Sequence, residues 1–204
     1  MQPDRDRGCD APVFMMFEGR KPKAREIMVI SVLAAIGVAG RAAFFMVPSF
    51  KPVAAIVILT GVSFGGEAGF LVGCLIMMLS NMFMGQGPWT PWQMFSFGII
   101  GFLAGILYQK GILKARKRDL CIYGFLSVVL IYGGIMNPAS ILMSYGYITP
   151  ASLVAFYISG IPVDLVHALS TVIFLWFLSR PLLEKLERIK KKYGLIESGK
   201  EEML

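Results

Sequence analysis

The sequence predicts an all-α integral membrane protein, a bundle of six transmembrane helices with both termini in the cytoplasm. Of its 204 residues, 56% are hydrophobic and only 16% are charged, and the mean hydropathy is +0.66. This composition is too apolar for an ordinary soluble domain. About six spans of roughly 20 residues with short loops fill this length, which leaves no room for a separate catalytic domain.

The net charge of +7 comes from lysines and arginines concentrated in the two tails and in one loop. A nucleic-acid interface would interleave such residues with aromatic ones along a single face. We expect a flexible cytoplasmic tail at 1–23, a transmembrane domain at 24–181, and a basic cytoplasmic helix and tail at 182–204. The first segment lacks the basic start and small-residue end of a cleavable signal peptide, and Met15 or Met16 is an alternative start.

The first predicted helix runs from about 24 to 45 and ends before Pro48, because proline cannot continue a helix. Small side chains let two membrane helices approach backbone to backbone, which is a main source of helix association in lipid. A small residue recurs at every fourth position of this helix, at Ser31, Ala35, Ala39 and Ala43. Internal packing and the docking of another subunit are equal alternatives for this stripe.

The second predicted helix, about 52–64, is short for a full span, so we expect it to be tilted or sheltered by its neighbours. A third helix at about 67–84 and a fourth at about 91–108 follow. Thr90, Pro91 and Gln93 have the residue types of a capping box at the start of the fourth helix. Contact with a ligand is an equal alternative for Gln93.

The loop at 110–118 carries five positive charges and precedes a fifth predicted helix at about 120–136. No charge occurs from 120 to 163, where we expect an outer loop with one short helix near 150–158. A sixth helix is expected from about 162 to 179. In a six-helix bundle the three basic stretches share one side, which the positive-inside rule makes cytoplasmic.

Three polar residues are expected near the outer boundary. Arg41 lies sixteen residues beyond Arg25, or about 24 Å along the first helix, and Asp164 is expected in the first turn of the sixth. A charge inside a span costs about 2.5 to 3.5 kcal/mol on insertion scales, so it usually pairs or marks a ligand path. A structural link between Arg41 and Asp164 and direct contact with a substrate are equal alternatives. Asp164 and His167 share a helix face, which allows the carboxylate to fix the imidazole in a pocket wall.

Metal and catalytic chemistry are not indicated. His167 is the single histidine of the chain, and a zinc site would need more ligands. The cysteines are odd in number and widely spaced, which argues against a disulfide framework, and we interpret them as packing thiols: Cys9, Cys74 and Cys121.

Residues 194–200 begin like a phosphate-binding loop, but Glu201 stands where the magnesium-binding Ser or Thr is needed. We therefore expect no cofactor and no ATP hydrolysis by this chain.

An uncharged stretch joins the third and fourth helices: Gly85-Gln86-Gly87-Pro88-Trp89-Thr90-Pro91-Trp92-Gln93. Tryptophans at this depth anchor a protein at the membrane interface, which is one explanation. Flat aromatic faces and amide groups also suit a ring-bearing small molecule that forms hydrogen bonds. The candidate ligand-binding residues are Arg41, Asn81, Gln86, Trp89, Trp92, Gln93, Asn137, Asp164 and His167.

Three stretches resemble the substrate-binding S components of energy-coupling factor (ECF) vitamin transporters: Gly65-x-x-x-Gly69-x-x-x-Gly73, residues 85–93, and Gly160-Ile161-Pro162-Val163-Asp164-Leu165-Val166-His167-Ala168. The resemblance covers about 24–190. It implies that 24–181 is a substrate-binding domain in a bacterial or archaeal cell membrane. Such a domain captures a vitamin at its outer face and topples to release it inward.

The resemblance also implies partners. An S component docks on a transmembrane coupling (T) component that carries two ATPases, and the docking surface would be the small-residue stripe of the first helix. The Trp-rich stretch at 85–93 is most similar to that of cobalamin-type members, while riboflavin, folate and pantothenate are alternatives. More remote alternatives are a secondary transporter, which should show two matching halves, and a membrane enzyme, which would need paired acidic residues or a set of Ser, His and acid.

Overall fold

A computed structural model of the protein describes residues 24–193. The expected tail at 1–23 and the stretch at 194–204, which includes the residues that resemble a phosphate-binding loop, lie outside the described residues. Within 24–193 the regular structure is entirely helical. The helices are α1 (Ala24–Ala43), α2 (Val53–Phe64), α3 (Gly66–Met84), α4 (Thr90–Gln109), α5 (Lys117–Tyr145) and α6 (Pro150–Tyr193).

Five of these helices are long and apolar enough to cross a membrane, and α2, with 12 residues, is the shorter one. The prediction of an all-helical membrane bundle is therefore confirmed at this level. α2 is sheltered as expected, because every residue from 53 to 63 is buried. α5 is interrupted by a π-helical turn at Val128–Tyr132.

Contacts between helix termini define one end of the bundle. Arg25 donates a hydrogen bond from Nη1 to the carbonyl oxygen of Tyr193 at 3.0 Å, and the Lys190 ammonium lies 5.5 Å from the centre of the Phe64 ring. The start of α1 and the ends of α2 and α6 therefore meet. We call this the basic end, and we call the opposite end, where α1 ends and α4 begins, the distal end.

Glycines bring α3 and α4 into backbone contact. A Cβ atom added to Gly101 of α4 would lie 2.5 Å from the carbonyl oxygen of Gly69, and one added to Gly73 would lie 2.7 Å from the carbonyl carbon of Phe97. No real Cβ atom fits at such distances. The predicted glycine face of the third helix thus packs against a second glycine face on the fourth.

The second half of the chain differs from the prediction. α5 continues through Pro138 to Tyr145, and α6 is one helix of 44 residues that contains Pro162 and Pro181. The expected end of the fifth helix at about 136 and the separate short helix near 150–158 are therefore wrong. Prolines are tolerated within membrane helices because neighbouring groups satisfy the freed carbonyls.

The start of α6 is a capping box. Thr149 Oγ1 accepts a hydrogen bond from the backbone N–H of Ser152 at 3.1 Å, and Ser152 Oγ accepts one from the N–H of Thr149 at 2.9 Å. These reciprocal bonds satisfy two N–H groups that a helix start leaves free. Asp164 consequently lies fourteen residues beyond Pro150, so its expected place in the first turn of the sixth helix is also wrong.

The distal parts of α5 and α6 form a pair of helices that we call the distal hairpin, residues 133–166. Residues 150–166 of α6 include no buried side chain. Contacts across the pair include a bond from the Tyr157 hydroxyl to the Gly134 carbonyl at 3.3 Å and an edge-to-face pair between Tyr145 and Phe156. The α6 side of this hairpin is therefore loosely packed against the rest of the bundle.

Candidate functional site

Asn81 is the centre of a polar network at the distal end. Its side chain is 1% exposed, so its amide must find partners within the protein. Asn81 Nδ2 donates to Thr90 Oγ1 at 3.0 Å and to Gln93 Oε1 at 2.9 Å. These two bonds fix the start of α4 against the end of α3.

The predicted capping box at 90–93 is wrong. No side chain caps the start of α4, because the Gln93 amide oxygen accepts from Asn81 on α3 instead of bonding within its own helix. Gln93 also lies beside the Tyr132 hydroxyl of α5. The sequence assigned Gln93 either a structural or a ligand-binding role, and the structure shows it linking three helices.

Arg41 completes the network from α1. Its Nη1 atom donates to Asn81 Oδ1 at 2.6 Å, to Ser80 Oγ, and lies 3.7 Å from the Met77 sulfur. All three acceptors are uncharged. We call the set of Arg41, Ser80, Asn81, Thr90 and Gln93 the distal polar network.

Tyr132 connects this network to His167. The ring centres of Tyr132 and His167 are 4.7 Å apart, with the rings nearly perpendicular at 87°, and Phe97 packs against both. Tyr132 ends the π-helical turn of α5, and such turns frequently occur at functional sites. The sequence analysis missed Tyr132 and Ser80, because a π turn leaves no recognisable residue pattern.

Asp164 is held by Asn137. Asn137 Nδ2 donates to Asp164 Oδ2 at 3.0 Å, and the absence of side chains at Gly133 and Gly160 leaves room for these two groups. Within residues 24–193, Arg41 and Asp164 form no ion pair, and Asp164 forms no hydrogen bond to His167. The suggested carboxylate–imidazole pair is not formed, because Asp164 faces α5 at Asn137 while His167 faces Tyr132.

Lys51, in the segment between α1 and α2, is a second cation that the sequence analysis missed. Its backbone N–H donates to Ser170 Oγ at 2.9 Å, and the Ser170 hydroxyl donates to the Lys51 carbonyl at 3.3 Å. Burial lowers the pKa of the Lys51 ammonium, and the nearby Arg41 charge lowers it further. The sequence did offer a signal for this residue, because Lys51 is the one charged residue between Arg41 and Glu67.

The remaining candidates lie on the surface beside this network. Trp89 and Trp92 are 40% and 38% exposed, Gln86 is exposed, and the Trp89 indole covers the backbone of Gly87. The structure thus divides the predicted site into the distal polar network, the pair of Asn137 and Asp164, and an exposed aromatic edge.

The small-residue stripe of α1 faces away from the bundle. Ser31, Ala35, Ala39 and Ala43 are all exposed. The inward face of α1 is formed by Leu33, Ala34 and Gly37, which are buried. Internal packing therefore uses a different face of this helix.

The two cysteines that the structure describes contact backbone carbonyl groups. Cys74 Sγ contacts the Met94 carbonyl at 3.4 Å and Cys121 Sγ the Val172 carbonyl at 3.6 Å, while Cys9 lies outside the described residues. In the part of the chain that the structure describes, no three His, Cys, Asp or Glu side chains come together as a metal site would require.

A bundle of long apolar helices that encloses a polar network around an arginine is the architecture of a multi-pass membrane protein. Residues 21–184 match the family described as "ECF-type riboflavin transporter, S component". The chain belongs to this family. The resemblance to ECF S components stated from the sequence is therefore confirmed.

Curated relatives are proteins of the UPF0397 group. The chain is 33% identical over 117 residues to a UPF0397 protein of Vibrio atlanticus (strain LGP32), which covers 54% of this chain and 64% of that protein. It is 32% identical over 120 residues to one of Aliivibrio salmonicida (strain LFI1238), covering 54% and 63%. The match thus spans less than two thirds of the length of these relatives. No solved structure matches the chain significantly.

Proposed function

We propose that this chain is the vitamin-binding S component of an ECF transporter and that it captures its ligand at the distal end. The observation that carries this proposal is the distal polar network. An arginine inside a membrane helix is costly unless it serves a ligand path or a partner. Here Arg41 is bound to Ser80 and Asn81 of α3, and Asn81 is bound in turn to Thr90 and Gln93 of α4.

The distal end would face outward and the basic end the cytoplasm. The start of α1, the loop at 110–118 and the end of α6 carry most of the lysines and arginines, and contacts between α1 and α6 bring the first and last of these together. The positive-inside rule favours this orientation in the cell membrane. All six helices would then cross, or nearly cross, the bilayer.

The exposed stripe of α1 would dock on a T component that carries two ATPases. Small side chains allow close helix approach in lipid, and these four residues make no internal contact face. ATP hydrolysis by the partners would then drive toppling of the bundle and release of the vitamin inward.

The substrate is a separate question. The family description names riboflavin, whereas the stretch at 85–93 favoured a cobalamin-like ligand, and the comparisons do not support the cobalamin branch. We take riboflavin as the first ligand to test, followed by cobalamin, folate and pantothenate.

Equilibrium binding to the purified protein tests ligand capture. We expect a tight binder in this panel to quench tryptophan fluorescence, because Trp89 and Trp92 lie at the distal end. The quenching should persist in Trp176→Phe, since Trp176 lies towards the basic end, where the Lys117 ammonium contacts its ring. The absence of any tight binder would count against the proposal.

Uptake by cells tests docking. Ala39→Trp should leave vitamin binding intact but abolish uptake, because the indole would block close approach of the T component. Ala155→Trp, at an exposed position of α6, is the matched control and should leave uptake unchanged. Uptake that survives loss of the ATPases would instead favour a secondary transporter.

A further inference from the structure

Building on the proposed function, we infer that the ligand carries an anionic group, a carboxylate or a phosphate, which binds between Arg41 and Lys51. Nothing in the family description requires this, since riboflavin itself is uncharged. Three features of the distal end support it: the unused donors of Arg41, the position of Lys51, and the balance of charge around them.

Among residues 24–193, the polar contacts of the Arg41 side chain all involve one nitrogen atom. Its hydrogen bonds to Ser80 and Asn81 and its contact with Met77 all involve Nη1. Within residues 24–193, neither Nε nor Nη2 has a hydrogen-bond acceptor. A guanidinium offers five N–H donors in a planar fork that fits two oxygens of a carboxylate or phosphate. The network therefore holds the arginine and leaves most of its fork available.

Lys51 places a second positive charge beside the first. Its backbone is fixed by two hydrogen bonds to Ser170, which lies one helical turn beyond His167 on α6, so Lys51 is anchored at the level of the imidazole that packs against Tyr132. Two neighbouring cations repel each other. An anion between them would remove that repulsion and gain two charge-assisted contacts.

The charge at the distal end is not balanced by the protein. Among the described residues, the charged side chains there are Arg41, Lys51 and Asp164, and they leave one positive charge in excess. Asp164 forms its hydrogen bond with Asn137 and no ion pair with either cation. The anionic group of the bound ligand would supply the missing negative charge.

Matched ligand pairs test this inference. Each pair differs in one anionic group: riboflavin 5′-phosphate with riboflavin, pyridoxal phosphate with pyridoxal, biotin with biotin amide, and nicotinate with nicotinamide. In the pair that binds to the protein, the anionic member should bind at least about tenfold tighter than the neutral member, because one charged hydrogen bond contributes about that much. Lys51→Gln should remove the preference for the anionic member, whereas Lys51→Arg, which keeps the positive charge, should retain it.

Controls separate the possible causes. Lys114→Gln removes an equal charge from the exposed loop at the basic end and should leave the preference intact. Nanodiscs of phosphatidylcholine and of phosphatidylglycerol distinguish a soluble anion from a lipid headgroup. If the soluble anion binds more weakly in phosphatidylglycerol than in phosphatidylcholine, and Lys51→Gln removes this difference, the site binds anionic lipid. That result would overturn our proposal for a soluble ligand.

Two outcomes distinguish this inference from the function on which it rests. A tight neutral ligand that binds Lys51→Gln as well as wild type would overturn the anionic group and leave the S-component function intact. Failure of every probe, neutral or anionic, to bind the wild-type protein would overturn both.

Discussion

The α3–α4 pair and the distal hairpin are both helix pairs, yet they are held together differently. α3 and α4 meet backbone to backbone through glycines such as Gly69 and Gly101, and their distal ends are joined by the buried side chain of Asn81. The distal hairpin relies on a few polar and aromatic contacts, and residues 150–166 of α6 have no buried side chain.

This difference separates two tasks within one bundle. Van der Waals packing between glycine faces is rigid, because the helices have no side chains that can rearrange there. Regions with few buried contacts open at lower free energy than the rest of a protein. We therefore expect α3 and α4 to hold Arg41 in place while the distal hairpin moves when the ligand enters or leaves.

The largest effect is expected from filling the glycine contact. Gly101→Val would place side-chain atoms against the Gly69 backbone and should destabilise the protein by about 3 kcal/mol or more, as strong overpacking does. Gly134→Ala is the control, since nothing lies within 4 Å of an added Cβ there. Thermal unfolding in detergent should show a large loss for the first variant and little change for the second. Equal shifts would contradict the contrast between the two regions.

An intermediate effect is expected from Asn81→Ala. This variant leaves Arg41, Thr90 and Gln93 without their shared partner, and unsatisfied buried groups cost about 2 kcal/mol. Both thermal stability and ligand affinity should fall. A variant that keeps full affinity would show that the network does not position Arg41 for binding.

A smaller and local effect is expected from Asn137→Ala. Hydrogen bonds between membrane helices contribute about 1 kcal/mol or less, so global stability should change little. Hydrogen exchange should nevertheless rise within 133–166 and stay constant in α3 and α4. Faster exchange throughout the bundle would mean that the distal hairpin does not open independently.

The smallest effect is expected from Tyr157→Phe. Its hydroxyl bond to the Gly134 carbonyl is exposed and 3.3 Å long, so its loss should cost at most about 0.5 kcal/mol. Exchange at 133–166 is the sensitive measurement. A loss of stability larger than that of Asn81→Ala would reverse the ranking of the two regions.

Much of the fold could be predicted because it follows from local composition. The long apolar segments predicted the helices that are long enough to cross a membrane. The glycine spacing predicted the packing face of α3, and the shortness of α2 predicted its burial. The end of α5 and the start of α6 were harder, because prolines that break helices in water are tolerated in membrane helices.

The site shows where local patterns stop being sufficient. Thr90-Pro91-Trp92-Gln93 and Thr149-Pro150-Ala151-Ser152 have the same cap-like pattern, yet only the second forms a capping box. At the first, the buried Asn81 amide on another helix competes for the same side chains. Which partner is nearer depends on the tertiary structure, and the same holds for the proximity of Lys51 to Arg41.

The burial of residues 53–63 of α2 has a consequence for biosynthesis. A helix of 12 residues is only about 18 Å long, too short to cross a hydrocarbon core of about 30 Å. We therefore expect the translocon to insert α2 together with α3, as a hairpin that turns at Gly65 and Gly66. A reporter fused after Phe64 should fail to insert stably, whereas one fused after Met84 should insert. The tightly packed α2 and α3 would then enter the membrane together as one preassembled unit.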